Sequence, residues 1–424
     1  MKVQRCKGSR DLLPEDIARF RYVEQVFRSC CQRWGYKEIR TPTLEYLHLF
    51  TSAGTLTPSM LNKVYSFLDW DGWSGERVVL RPEGTIPAAR LYIENFKPSG
   101  LAKLFYVENI FSFEETGKES RERWQCGAEL IGSNKPSADV ELVLLALETL
   151  ERLGIKEVKL CLSHAGLIKA LLRESGLTPS KEIQIFDRIL DGDTEIAREI
   201  IKDNPQLRDS LPLLFELRGK SPGFLENLKV SLTKASPNLK LSMENFITIA
   251  QLLTDMGCKY QIDIASGKGF EYYTGIIFQV YLGSQKVGGG GRYDDLIPLL
   301  GGSDTPASGF ALYIDQLMSL LPSGDSGEDA SKMILVRNEI DGVKGWKLSF
   351  EIVSLLREAG YIVELDQGYK ELTEHQWILK IQEEGERLFF LLTHQASGKS
   401  LEADSPTGIL SILQGTNANK AGSS

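Results

Sequence analysis

Ten residues, Pro322-Ser-Gly-Asp-Ser-Gly-Glu-Asp-Ala-Ser331, carry no apolar periodicity and are rich in residues that interrupt regular structure. A hydrophobic core cannot be continued through such a run, so the chain must close one core before it and build a second after it. Before the break, Tyr36–Pro42, Val78–Leu80, Leu104–Val107 and Cys126–Ile131 read as strands; the last three adjoin polar turn runs, which predicts an antiparallel sheet with hairpin loops. A helix opens at Pro14, with Ile17, Phe20, Val23, Phe27, Cys30, Cys31 and Trp34 recurring at threes and fours until Gly35. A second amphipathic helix covers 138–153, and from about 168 to 256 the pattern is almost wholly helical and charged, as in an inserted helical subdomain. Strand signals return at Tyr260–Ile264 and Gly275–Tyr281, followed by four glycines at 288–291 and a helix at about 307–320.

After the break the pattern alternates. A strand at Met333–Val336, a helix at about 343–359, a strand at Tyr361–Leu365, a further helical stretch and strands near Trp377–Ile381 and Leu388–Leu392 predict a small α/β domain. The fold class is therefore α+β: a core over 1–322, a linker at 323–331, an α/β domain over 332–412 and a disordered tail at 413–424.

Composition narrows the function classes. The 57 acidic side chains outnumber the 49 basic ones, for a formal net charge of −8, so no field of the whole protein attracts nucleic acid. No run of apolar residues is long enough for a membrane span, and the first residues turn charged at once, so a cytoplasmic protein is expected. Six scattered cysteines form no C-x-x-C pair, and His48, His164, His375 and His394 lie far apart, so neither a metal site nor a disulfide framework is expected.

Two tempting signals carry little. Ser397-Gly-Lys-Ser400 resembles the end of a phosphate-binding loop, but position 393 is Thr where that loop needs a glycine. Gly288–Gly291 either cradles a phosphate or lets neighbouring elements approach closely. More informative are Leu80-Arg-Pro-Glu-Gly-Thr85, a turn after a strand, and Trp124-Gln-Cys-Gly-Ala-Glu129, whose alternation projects Gln125, Gly127 and Glu129 on one sheet face. Two polar groups on an inward face carry a burial cost unless they find partners. Gly269-Phe-Glu-Tyr-Tyr-Thr-Gly275 adds Tyr272 and Tyr273 beside a glycine. Carboxylates, an amide and phenols together can hold a small zwitterion bearing a nitrogen heterocycle.

These segments, with Gly8-Ser-Arg-Asp-Leu-Leu-Pro14 and Gly289-Gly-Gly-Arg-Tyr-Asp294, occur in the order and spacing of histidyl-tRNA synthetases. The resemblance covers about residues 5–320 and, more loosely, the C-terminal domain. It implies the class II synthetase fold, an antiparallel sheet of six or seven strands flanked by helices, dimerising through the first helix and the strand ending at Pro42. The apolar stripe of Phe20, Val23, Phe27 and Trp34 is wider than one small sheet needs, in keeping with such a dimer, although packing on the helix's own sheet explains it as well. By position, Glu83, Thr85 and Gln125 would bind the amino group of histidine, and Glu129, Tyr272 and Tyr273 would enclose its imidazole.

The ATP side departs from the family pattern. The segment Phe111-Ser-Phe-Glu114 puts Ser112 where the family has an arginine for the α-phosphate, and Gly309–Gln316 puts Gln316 where it has one for the γ-phosphate. Lys268 stands in place of a third arginine, which the family directs to the activated carboxylate, whereas Arg121 matches a family arginine in the loop that follows Phe111–Glu114. Neither serine nor glutamine supplies a guanidinium's charge or its bidentate fork, and losing even one such contact costs a factor of about 10²–10³ in rate. The expectation is a protein with no catalytic residue and no cofactor. Within this resemblance, residues 127–176 look more like the regulatory subunit of ATP phosphoribosyltransferase, which acts at the first step of histidine biosynthesis. The implied partners are the short-form catalytic subunit of that enzyme, a second copy of this chain and free histidine. Binding of tRNA is not expected, because acidic residues outnumber basic ones over 332–424. The alternatives are a divergent histidyl-tRNA synthetase and a free-standing histidine- or tRNA-sensing relative.

Overall fold

The computed structural model describes residues 4–52, 63–69, 75–97, 100–113, 120–174, 218–235, 237–264, 272–321, 332–368, 375–385 and 387–421, with isolated positions at 61 and between 177 and 202. The chain divides into two compact units, Met1–Ser323 and Gly324–Ser424.

The strands of the first unit are β1 (Lys37–Glu38), β2 (Leu44–Tyr46), β3 (Ser66–Leu68), β4 (Arg77–Leu80), β5 (Ala102–Phe111), β6 (Glu122–Ile131), β7 (Val158–His164), β8 (Arg218–Gly219), β9 (Tyr260–Asp263), β10 (Ile276–Leu282), β11 (Gln285–Arg292) and β12 (Ala307–Tyr313). Among the described residues, nine of them form one sheet in the order β1-β5-β6-β12-β11-β10-β7-β9-β8, and β2-β4-β3 form a separate small sheet. From β5 across to β7 every pairing is antiparallel, as the hairpin-like turns predict. The flanks are not: β1 runs parallel to β5, and β9 parallel to β7, so the whole sheet is mixed.

The first helix, Pro14–Arg33, buries Phe20, Val23, Phe27, Cys30 and Cys31. Phe20 meets Trp124 edge-on at 5.0 Å, and Phe27 meets Phe105 and Phe310 at 6.0 and 6.3 Å. Trp34 is half-buried and donates its indole N–H to Glu148 at 2.6 Å. Phe20 and Phe27 thus pack on the chain's own sheet, whose ten-residue strands β5 and β6 give them a wide floor, and Trp34 is held by the helix Pro136–Arg152.

Three local expectations change. Residues 307–320 are not one helix: Ala307–Tyr313 is strand β12, and only Ile314–Leu320 is helical. Phe310, Ile314 and Leu317 happen to fit a helical period, but β12 gains ladder hydrogen bonds on both sides, from β6 and β11. The glycines at 288–291 lie inside β11, where a Cβ on Gly290 would run into Phe310, so they serve close approach between neighbouring strands. Of Tyr36–Pro42, only Lys37–Glu38 pairs as a strand. The helices Pro222–Ala235 and Lys240–Asp255 belong to the expected helical insertion, much of which lies outside the described residues.

The second unit holds β13 (Met333–Asn338), β14 (Ile362–Leu365), β15 (Trp377–Glu384), β16 (Arg387–His394) and β17 (Ser400–Ala403) in the order β14-β13-β15-β16-β17. Here β14 and β15 both run parallel to β13, and the remaining pairs are antiparallel. The helix Gly342–Glu358 buries Ile352, Val353 and Leu356 against this unit's core. The helical stretch expected between β14 and β15 falls largely outside the described residues. The final helix, Pro406–Ala421, continues through most of the stretch read as a disordered tail. Ile409 and Leu413, one turn apart, are buried in the core, and they anchor a helix whose later residues carry no apolar signal.

Candidate functional site

The turn Arg81-Pro-Glu-Gly84 links β4 to the helix Thr85–Asn95, and two buried charges set its geometry. Arg81 pairs with Glu108 of β5 at 2.7 Å and donates to the carbonyl oxygens of Thr41 at 3.0 Å and Asn109 at 2.8 Å. Glu108 also accepts the Thr41 N–H at 2.7 Å. With the turn held, the Glu83 carboxylate accepts the N–H groups of Thr85 (2.8 Å) and Ile86 (2.7 Å), which are donors that the first turn of a helix leaves without internal partners. Burial nevertheless outweighs these bonds and raises the Glu83 pKa to about 7.

Glu129, on β6, is fully buried among hydroxyls. Its Oε1 accepts from Thr85 Oγ1 at 2.9 Å and from the Tyr106 hydroxyl at 3.1 Å, and its Oε2 accepts from the Tyr293 hydroxyl. Burial raises its pKa to about 8, and nearby Glu83 adds to the shift against the lowering effect of the three hydroxyls. Glycines make the room: a Cβ on Gly84 or Gly127 would overlap the Tyr106 ring, and one on Gly309 would overlap Glu129 Oε2.

A cavity of about 330 Å³ opens above this layer. Of the six residues expected to hold histidine, Glu83, Thr85, Gln125, Tyr272 and Tyr273 line it. Glu129 does not; it stands one layer behind, bonded to Thr85 and Tyr293, which do. Tyr272 lies 5.1 Å from Tyr273 and 5.6 Å edge-on from Tyr293 between ring centroids. The arrangement offers an aromatic wall, a buried carboxylate and an amide. Those groups suit a flat ring and an ammonium group.

The positions compared with an ATP site are dispersed. Ser112 lines the same cavity. The Arg121 carbonyl accepts the Ser112 N–H at 3.0 Å, and its guanidinium lies 4.9 Å from the centre of the Phe113 ring. Gln316 borders a separate shallow pocket with Arg10, Ser120, Arg123 and Asp315. Lys268 lies outside the described residues. Arg123 borders both pockets, so it connects the two regions.

Several site residues escape a reading of the sequence. Tyr106 hides in an apolar strand and shows only by its bond to Glu129. Tyr293 sits in the Gly289–Asp294 segment, of which Gly289 and Gly290 also line the cavity, whereas its charged members are structural: Arg292 pairs with Asp139 at 2.9 Å, and Asp294 accepts the Ala307 N–H at 3.0 Å. Arg123 shares its sheet face with Gln125 and Glu129, so extending the same alternation by one step would have found it. Among the described residues there is no cluster of His, Cys, Asp and Glu that could hold a metal ion, and no helix is long and apolar enough to cross a membrane.

A family model described as histidyl-tRNA synthetase matches residues 8–317. An ATP phosphoribosyltransferase regulatory subunit of Dehalococcoides mccartyi is 48% identical over 97% of this chain and 99% of its own length. A histidine--tRNA ligase of Methanosarcina acetivorans is 37% identical over 84% of each chain. Among solved structures, an ATP phosphoribosyltransferase regulatory subunit/histidyl-tRNA synthetase from Bacillus halodurans superposes with a TM-score of 0.75, covering 90% of this chain and 98% of that one at 24% identity, a likeness of fold. On the matched motifs, the class II architecture and the full-length identity, the chain belongs to the histidyl-tRNA synthetase family, in which it stands with the ATP phosphoribosyltransferase regulatory subunits.

Proposed function

We propose that this chain is a non-catalytic, histidine-binding regulatory subunit of ATP phosphoribosyltransferase that works in the cytoplasm with the short-form catalytic chain. The observation that carries the reading is the contrast within one cavity. Its amino-acid side keeps Glu83, Thr85, Gln125 and both tyrosines, whereas a serine, Ser112, lines it where an arginine would meet the α-phosphate. Histidine would favour one arrangement of the hetero-oligomer over another, and its differential affinity sets the inhibition, typically about 1–3 kcal/mol of coupling.

A homodimer is part of the reading. The face of the first helix that packs inward cannot serve it, but Leu44, Tyr46, Phe67 and Leu68 leave exposed apolar surface on the small sheet β2-β4-β3. Mixing the protein with the short-form catalytic chain should raise the mass seen by light scattering and give phosphoribosyltransferase activity that histidine inhibits. Histidine-dependent exchange of pyrophosphate into ATP should be absent, and Ser112→Arg alone should not create it because Gln316 remains. Exchange at a synthetase-like rate would replace this reading with that of an active ligase, which the 37% identity to a histidine--tRNA ligase keeps as the second reading.

A further inference from the structure

Strand parity brings two cations to the cavity wall. On β6, residues two apart project to the same side, so Arg123 follows Gln125 onto the cavity face, and both line the cavity. On β10 the same face carries Ile277 and Gln279. The pairing of β11 with β10 contains a bulge: Val280 opposes Gly288, but Tyr281 opposes Lys286, which leaves Val287 as an extra residue. That residue reverses the alternation. Val287 is fully buried in the core, and Lys286 turns to the cavity beside Gln279. Without the bulge, Val287 would oppose Tyr281 and Lys286 would fall on the other face of the sheet.

Tyr313 of β12 lies opposite Gln125 and also lines the cavity, so Arg123, Gln125, Tyr313, Gln279 and Lys286 form a band across four strands. This band is about 13 Å along β12 from Gly309, the glycine that packs on Glu129. Among the described lining residues, Glu83 supplies a carboxylate at the Glu129 end, and three residues are basic: Arg123 and Lys286 on the strands and Lys63 ahead of β3. Burial lowers the Lys286 pKa to about 8, a cost to its charged form that an anion bound beside it offsets.

We propose that Arg123 and Lys286 bind the carboxylate of an amino acid held in this cavity, and so set its preference for the amino acid over the matching amine. The proposal rests on the histidine reading above and adds the residues that recognise the acid group.

Calorimetry on the full chain with L-histidine and with histamine, which keeps the imidazole and amino group but lacks the carboxylate, tests it. Lys286→Met and Arg123→Met should each weaken histidine binding by about 10- to 100-fold, the loss expected for one charge-assisted contact, while histamine affinity stays within about twofold. Lys286→Arg should retain the preference, and unchanged melting temperatures should show that the variants fold. Equal losses for both ligands, no loss for either, or a native protein that binds histamine as tightly as histidine would overturn the proposal and leave the histidine site standing. So would inorganic pyrophosphate binding that both variants lose while histidine affinity holds, since the cations would then serve a phosphate. A native protein that binds neither imidazole ligand would overturn the histidine reading and this proposal together.

Discussion

Thr85 Oγ1 donates to Glu129 Oε1 at 2.9 Å, while the N–H of the same residue donates to Glu83 at 2.8 Å. One residue at a helix start therefore ties two buried carboxylates, one from the turn after β4 and one from β6, into a single network. Glu83 reaches the cavity, and Glu129 holds Thr85, Tyr106 and Tyr293 in place from behind. The site is a surface layer supported by a buried one, and substitutions in the two layers should differ in what they change.

Replacing Glu129 by Ala removes the acceptor shared by the Thr85, Tyr106 and Tyr293 hydroxyls, two of which belong to fully buried tyrosines. Stability should fall by about 2–5 kcal/mol in urea unfolding, with histidine binding weakened as well. Glu129→Gln keeps the shape and an acceptor oxygen, and it should cost less than half as much. Similar costs for the two variants would argue against the hydroxyl network as the support of this layer.

Raised carboxyl pKa values fix the direction of the pH dependence. Glu83 and Glu129 titrate near 7 and 8 in the folded chain against an ordinary value of 4.5. Between pH 4.5 and these values the folded state binds more protons than the unfolded one, so the ligand-free protein should lose stability as pH rises through that window, by up to about 1.4 kcal/mol per pH unit for each group. Chemical denaturation at pH 5, 6, 7 and 8 should show the decline, and Glu83→Gln should flatten its lower part. A bound ammonium group favours the ionised carboxylate, so histidine should stabilise the protein more at pH 8 than at pH 5.

The glycines around the network are steric requirements. A Cβ on Gly127 would overlap the Tyr106 ring, whereas one on Gly154 meets nothing within 4 Å. Gly127→Ala should therefore lower stability by about 1–3 kcal/mol through overpacking and reduce histidine affinity by displacing Tyr106. Gly154→Ala also costs stability, because its φ of +79° strains any side chain, but histidine affinity should stay at the native level. Equal losses of affinity would mean that the site responds to global stability and not to Tyr106.

Arg81 makes a buried pair with Glu108 and also holds the turn that presents Glu83. Arg81→Met should destabilise by about 3–5 kcal/mol, because Glu108 is left as an uncompensated buried charge. The double variant with Glu108→Leu should recover part of that stability. It should not recover histidine affinity, because the bonds from Arg81 to the Thr41 and Asn109 carbonyls are still missing. Recovery of both would reduce Arg81 to a charge partner.

Local pattern alone determined much of this molecule. The aperiodic run at 322–331 separated two cores, the threes and fours after Pro14 marked the first helix, and the alternation over 125–129 put Gln125 and Glu129 on the inward face. Each of these depends on residues close in the chain, whose spacing reports which side is buried. The assignments decided only by the tertiary structure depend on partners far away in sequence. Residues 307–313 became a strand because β6 and β11 stood ready on either side to accept their hydrogen bonds. Glu129 moved behind the cavity because Thr85, Tyr106 and Tyr293 converge on its two oxygens from three separate segments. Lys286 reached the cavity because one extra residue in the pairing of β11 with β10 reversed its side, a shift of register that exists only between two strands and leaves no trace in either one alone.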